Sequence, residues 1–283
     1  MKEGASAAAV RHHYDVGNDF FRLWLDRDLT YSCALYEHDD DTLEEAQRQK
    51  IEYHIAQSRA DGADSVLDIG CGWGTLLRAC VDHHGVKKAV GLTLSEEQVR
   101  WIRSLEDPRI EARAESWATH RPDTPYDAIV SVGAFEHFGR RGASDEERVA
   151  IYRNFFSCCR AMLRDGGRLS LQTITYGTMR RSEFSPFIGS SILVESDLPL
   201  LPEIVAASEG LFEIVQLRND RQHYGRTCRE WVRRLEAQRD TAVELVGEER
   251  VAEFERFLRM SAAGFERGKL LLTRWTFAAI GAS

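Results

Sequence analysis

The chain places an acid where an acid is costly. In the stretch SVGAFEHFG, Ser131 to Gly139, Glu136 lies between Phe135 and Phe138 at the end of the apolar run YDAIVSV. Burial among such neighbours works against a charged carboxylate. In a dry site, however, a carboxylate can offset a cation, hold a proton or stabilise positive charge that develops in a reaction. A Glu that caps the following loop, or pairs with Arg140 or Arg141, would serve structure alone. The residues by themselves leave these readings level.

A second constellation is LDIGCGWG, which sets Gly70, Gly72 and Gly74 directly after an apolar strand. Glycines there permit a tight turn and let a ligand approach the backbone. The spacing is G-x-G-x-G. Dinucleotide sites use G-x-G-x-x-G with an acid about 20 residues on, and here the next strand ends VGLTLS, without an acid. A nucleoside-type cofactor such as S-adenosylmethionine (SAM) fits better than a nicotinamide; a plain strand–helix turn is the competing reading. Ser95 to Gln98, SEEQ, has capping-box spacing, so Gln98 either closes a helix end or, with Thr93, touches a ligand. His38, His54 and His120 read as surface or packing residues.

These groups need a scaffold that brings strand ends together. Thr42 to Ala60 opens with a capping box, Thr42 answered by Glu45, and Ser144 with Glu147 opens a helix reaching about Leu163. SVLDIG, KAVGLT, YDAIVSV and RLSLQTITY read as strands, the last entered by a turn at Gly166 and Gly167, with helices between. Strands alternating with helices predict a parallel sheet covered on both faces. From Tyr176 to about Pro202 the alternation stops, which predicts a cap insertion whose Phe184, Phe187, Ile188, Ile192 and Leu193 would form an apolar wall. LFEIVQLRND then reads as a strand, followed by helices over Thr227 to Val246 and Glu248 to Phe265 and a final strand, KLLLTRWTFAA. The expectation is one domain over 1–283, with an N-terminal helical segment 1–60 and a cap at about 176–202.

Composition narrows the partners. The 283 residues are 43% hydrophobic and 29% charged, with a formal net charge of −8. That balance argues against a nucleic-acid groove and gives no help at an anionic membrane. No apolar run approaches the roughly 20 residues of a span. The start MKEGASAAAVRHH lacks a signal-peptide core, so the cytoplasm is expected. Cys33, Cys71, Cys80, Cys158, Cys159 and Cys228 form no CxxC pair and no zinc spacing, which predicts reduced thiols and no metal.

Taken together, HYDVGNDFFRLWLD, TYSCALYE, TLEEAQ, LDIGCGWG, VGLTLSEEQ, SVGAFEHFG and QHYGRTCREW resemble the cyclopropane-fatty-acyl-phospholipid synthases and the mycolic acid cyclopropane synthases and methyltransferases, nearly end to end. The resemblance implies a Rossmann-like class I methyltransferase: an α/β fold with a mostly parallel seven-stranded sheet and an inserted helical lid. It implies SAM contacts at Tyr31, Ser32, Gly70, Gly72, Thr93, Leu94, Gln98 and Trp117, beside Gly74 of the glycine turn, with S-adenosylhomocysteine (SAH) as product. It further implies a bicarbonate base held by Cys33, Glu136, Tyr224 and the backbone at Ile174. The family's remaining bicarbonate ligand is a histidine in an LHTI-like stretch; here the stretch reads SLQTI and the position is Gln172, which hydrogen-bonds but cannot become an imidazolium. The family's WE pair reads Trp117–Ala118, and its GY pattern reads Gly268–Lys269.

The expectation is therefore SAM-dependent methyl or methylene transfer to carbon or nitrogen of a lipophilic small molecule, in secondary metabolism, with Glu136, Tyr224, Cys33 and Gln172 at the reacting centre. Lipid cyclopropane synthesis and a non-catalytic SAM-binding module are the competing readings. Contact with a membrane surface stays compatible with either enzyme.

Overall fold

The computed structural model describes residues 17–185 and 196–281. Phe187, Ile188, Ile192 and Leu193 of the expected apolar wall, and the first sixteen residues of the N-terminal segment, lie outside them. In chain order the helices are α1 (Asn18–Arg22), α2 (Leu43–Ser58), α3 (Thr75–His83), α4 (Glu96–Arg103), α5 (Asp145–Met162), α6 (Leu201–Ser208), α7 (Arg221–Ala237), α8 (Arg239–Val246) and α9 (Glu248–Glu266). The strands are β1 (Ser65–Ile69), β2 (Lys88–Thr93), β3 (Ile110–Ala114), β4 (Tyr126–Val132), β5 (Leu163–Tyr176), β6 (Phe212–Asn219) and β7 (Leu270–Ala279).

The seven strands form one sheet in the order β3-β2-β1-β4-β5-β7-β6. The pairings from β3 through β5 are parallel. β7 pairs antiparallel with both β5 and β6. The order reverses between β1 and β4, and a ligand crevice forms outside the carboxyl ends of strands at such a point. Both predicted capping boxes are present, at Thr42–Glu45 and Ser144–Glu147. At Ser95 only half of one forms: its hydroxyl accepts from the Gln98 amide, while the Gln98 side chain turns to Thr93.

Three expectations need correction. The helix expected over Thr227–Val246 is two, breaking at Gln238, and its first half starts six residues earlier at Arg221. The turn expected at Gly166–Gly167 is a bulge inside β5. Tyr126 pairs with Leu163 but Ala128 with Arg168, and Gly166 absorbs the excursion at φ +75°. β3 is a strand that the sequence pattern does not mark.

Of the segment 176–202, where a cap is expected, the described part holds one 3-10 turn, Arg181–Glu183, and the start of α6. Its two flanks are tied together: Arg181 pairs with Asp197 at 2.9 Å and with Glu203 at 2.6 Å, and Tyr176 donates to Asp197 at 2.8 Å. Above the sheet, an aromatic cluster joins the chain's two ends. Phe20 and Phe21 of α1 and Trp24 pack on Trp231 of α7 and Phe254 of α9. Tyr31 is wedged among Phe21, Trp24 and Trp231 at 5.2–5.5 Å. The roof over the crevice is thus built from segments more than 200 residues apart.

Candidate active site

A cavity of about 180 Å³ opens at the carboxyl ends of β1, β2 and β4. Tyr31, Ser32, Gly70, Gly72, Thr93, Leu94, Gln98 and Trp117 all line it. Within it, Gly72 has φ +54°, and a Cβ there would meet nothing within 4 Å. The backbone therefore curls around open space, a cradle for a ligand that must approach closely. Gly70 serves packing as well, since a Cβ would lie 2.5 Å from that of Ala134. Gly74 does not line the cavity; it caps α3 at φ +84°, with Ile102 2.9 Å from a hypothetical Cβ. Its observed contacts are packing contacts rather than part of the cavity wall. Thr93 donates to the Gln98 carbonyl at 2.6 Å, so Gln98 is a wall of this cavity rather than a helix staple.

The cavity also contains residues that sequence reasoning missed: Lys50, Asp68, Glu115 and His137. Lys50 is buried on α2 and donates to Ser32 Oγ at 2.9 Å; burial pulls its ammonium down to about 8. Asp68 is an acid inside the apolar strand LDIG, pushed up to about 7 by burial. The signal that singled out Glu136 would have found it.

Tyr31, Ser32, Gly133 and His137 also line a second chamber of about 90 Å³, so the two spaces share a wall. The chamber is mostly apolar, with Phe184, Leu198, Trp231, Phe257 and Phe265 among its lining. Glu136, Gln172, Ile174 and Tyr224 lie together in it. Glu136 follows β4 in a 3-10 turn and is 4% exposed. One of its oxygens accepts from the Ile174 amide at 2.7 Å, and the other has no hydrogen-bond partner. No ion pair reaches it among the described residues, and Arg140 turns instead to Glu147. Desolvation pushes its carboxyl up to about 7. The loop-cap and ion-pair readings therefore fall away. A buried acid keeps an unsatisfied oxygen in an apolar chamber beside the larger cavity.

Tyr224 stacks on Phe265 with ring centres 4.4 Å apart. Burial, with Cys228, Cys33 and Glu136 nearby, raises its phenol well above the ordinary value, so it stays a donor. His137 is drawn down to about 4 by burial and is a neutral imidazole at the shared wall. Cys33 departs from expectation: its thiol donates to the Ala34 carbonyl at 3.1 Å, is pushed up to about 12 by burial and lines neither space. Its thiol thus faces away from both spaces, although Cys33 stays close to Tyr224. All six cysteines are free, and the described residues contain no cluster that could hold a metal. Among them, too, no helix is long and apolar enough to cross a membrane.

The chain is similar to known proteins along most of its length. The family model described as mycolic acid cyclopropane synthetase matches residues 1–275. Cyclopropane mycolic acid synthase 3 of Mycobacterium tuberculosis is 34% identical over 277 residues, covering 92% of each chain. Cyclopropane mycolic acid synthase 2 of Mycobacterium leprae is 35% identical over 262 residues, covering 84% of this chain and 83% of its own. A solved mycolic acid cyclopropane synthase, CmaA1 complexed with SAH and CTAB, superposes with a TM-score of 0.87 at 33% identity, over 98% of this chain and 100% of that one. Coclaurine N-methyltransferase shares the fold at a TM-score of 0.80 and 20% identity, over 98% of this chain and 83% of its own.

Proposed function

Starting from a chain that belongs to the mycolic acid cyclopropane synthetase family and is a SAM-dependent transferase, we propose that the larger cavity holds SAM and the inner chamber holds a lipophilic acceptor, which receives a methyl or methylene group at carbon or nitrogen. The observation that carries this reading is the unpartnered oxygen of Glu136 in a chamber that shares its wall with the cofactor cradle. SAM would supply an electrophilic methyl on a sulfonium. Tyr31, Ser32, the Gly70–Gly72 turn, Thr93, Leu94, Gln98 and Trp117 would hold it. Glu136 would face the positive charge and stabilise the cation that grows on an attacked alkene or amine. The apolar lining keeps water from the reaction and suits an acceptor of hydrocarbon character. The two sequence relatives named above are cyclopropane mycolic acid synthases, which supports a lipophilic acceptor.

Bicarbonate, as a general base, would take the proton released on ring closure. Tyr224 and Gln172 are suitable donors for it, and the Ile174 amide is already occupied by Glu136. Among the described residues no Lys or Arg lines the chamber. A bicarbonate anion therefore fits only when Glu136 carries a proton, and the ionised site favours a cationic or neutral guest.

The test is direct. The protein is incubated with SAM and either oleoyl-phospholipid vesicles or a panel of small lipophilic alkenes and amines. SAH is quantified, and products are read by mass and by upfield cyclopropane proton signals. SAH formed with the small acceptors supports the small-molecule reading, whereas cyclopropane signals from the vesicles would make this a lipid cyclopropane synthase. SAM binding without SAH across both panels would leave only a binding module.

A further inference from the structure

Behind the inner chamber lies a buried polar chain that neither the cofactor nor the acid requires. Arg274 of β7 is fully buried. It forms a close ion pair with Asp220, which is also buried, and donates through Nε to the Gln172 carbonyl oxygen at 2.8 Å. The same oxygen faces Nε2 of fully buried His54 at 3.3 Å, while His54 Nδ1 meets Ser170 Oγ at 2.8 Å. These contacts select one tautomer: Nε2 donates to Gln172, and Nδ1 accepts from the Ser170 hydroxyl. Desolvation, with Arg274 and Lys50 nearby, keeps that imidazole neutral. Gln172 is 1% exposed, and its carboxamide oxygen is engaged from two sides. Its NH2 has no partner among the described protein groups.

We propose that Arg274 and His54 are positioning residues that lock the Gln172 carboxamide with its oxygen inward and its NH2 toward the inner chamber, so that the chamber selects a guest with a lone pair beside the reacting centre. An amide left free could rotate and offer either end. Two donors that grip the oxygen make it a donor only, and swapping the ends would set the NH2 against the Arg274 guanidinium. Asp220 extends the effect. It holds Arg274 and also precedes α7, where its carbonyl accepts from the Tyr224 amide at 3.3 Å. Two of the chamber's donors, Gln172 NH2 and Tyr224 OH, are thereby anchored to one buried pair, beside the carboxylate of Glu136. The matching guest carries a carbonyl, hydroxyl or free amine lone pair rather than a bare hydrocarbon.

This inference rests on the inner chamber being the acceptor site, and its test uses binding rather than turnover. SAH-loaded protein is titrated calorimetrically with octan-2-one, which offers only lone pairs, and with octylammonium, which offers only donors. Gln172→Leu should weaken octan-2-one about tenfold, the scale of one hydrogen bond to a buried group. It should leave octylammonium within about twofold, because Glu136 binds that probe. Arg274→Lys should weaken octan-2-one in the native background and add nothing in a Gln172→Leu background. Arg274 also donates to the carbonyls of Cys33 and Ala34 at 3.3 and 3.1 Å. An effect passed through that loop would persist in the double variant, which is what the cycle distinguishes. If Arg274→Lys does not fold, His54→Leu removes the second clamp and should weaken octan-2-one in the same direction. Equal effects of the clamp variants in both backgrounds would overturn the inference. So would wild-type protein that takes octylammonium but not octan-2-one. If neither probe enters, the acceptor chamber itself is lost, and the proposed function with it.

Discussion

At the scale of residues, two acids carry most of the information, and both sit where charge is disfavoured. Glu136 was legible because an acid inside an apolar run is chemically conspicuous. Asp68 carried the same signal, hidden beside the glycines that follow it. The predicted consequence of Glu136 is electrostatic. Glu136→Gln keeps shape and hydrogen bonding but deletes the charge, and it should lower turnover about 100-fold or more, the scale of one preorganised electrostatic group, with SAH affinity unchanged. Tyr224→Phe should act in the same direction. Because burial pushes Glu136 up to about 7, the native protein's preference for SAM over SAH should grow from pH 6 to pH 8, as the carboxylate ionises beside the sulfonium. That growth should vanish in Glu136→Gln. A preference independent of pH in the native protein would separate the acid from the methyl group. What no single residue announced was the clamp on Gln172. Arg274 does stand out as a charge inside the apolar run LLLTRWTFAA, but its meeting with Gln172 follows from the pairing of β5 with β7, and that of His54 from the packing of α2, neither of which sequence order shows.

At the scale of elements, the local rules were readable and the long-range ones were not. The two capping boxes and the strand–glycine turn follow from contacts three or four residues apart, and they appeared where predicted. β3, the pentapeptide IEARA, alternates too briefly and too polarly to stand out. Nor does sequence order show that β7, the last strand, slips between β5 and β6; only pairing decides that. At Gly166 a bulge and a turn look alike in sequence, because glycine signals a break without saying how large. The glycine turn itself now divides into separable roles. Gly72→Val places a branched side chain in the open cradle, so cofactor affinity should drop steeply in calorimetry while the protein remains folded, apart from the cost of an L-residue at φ +54°, about 1–2 kcal/mol. Gly74→Ala meets Ile102 instead, and should lower thermal stability with a much smaller effect on affinity. If the two variants exchanged these phenotypes, the cradle would be centred on the wrong glycine.

At the scale of the whole molecule, the roof and the sheet place ionisable groups in low dielectric faster than they supply partners. Burial raises Glu136 and Asp68 to about 7 and lowers His137 to about 4. These shifts oppose each other in the pH dependence of stability. An acid whose folded pKa is raised contributes stability that is complete below its unfolded pKa and is lost as pH rises through the folded value. A histidine whose folded pKa is lowered contributes in the other sense, gaining as pH rises through its unfolded range. These contributions oppose each other between pH 4 and 7, so the native curve alone does not isolate any one group. The difference between two proteins does. Glu136→Gln removes one acid and leaves the histidines and Asp68 in place. Its stability relative to the native apoprotein should rise by as much as about 3 kcal/mol between pH 4.5 and pH 8, from a shift of 4.5 to about 7 at about 1.4 kcal/mol per unit. Urea unfolding of both proteins at a series of pH values measures that difference. Saturating SAM should shrink it, because the sulfonium then offsets the carboxylate in the folded state, whereas SAH, lacking the charge, should leave it nearly intact. A difference that stays constant with pH would mean that Glu136 finds a partner or water when buried, and the electrostatic argument for its role would no longer hold.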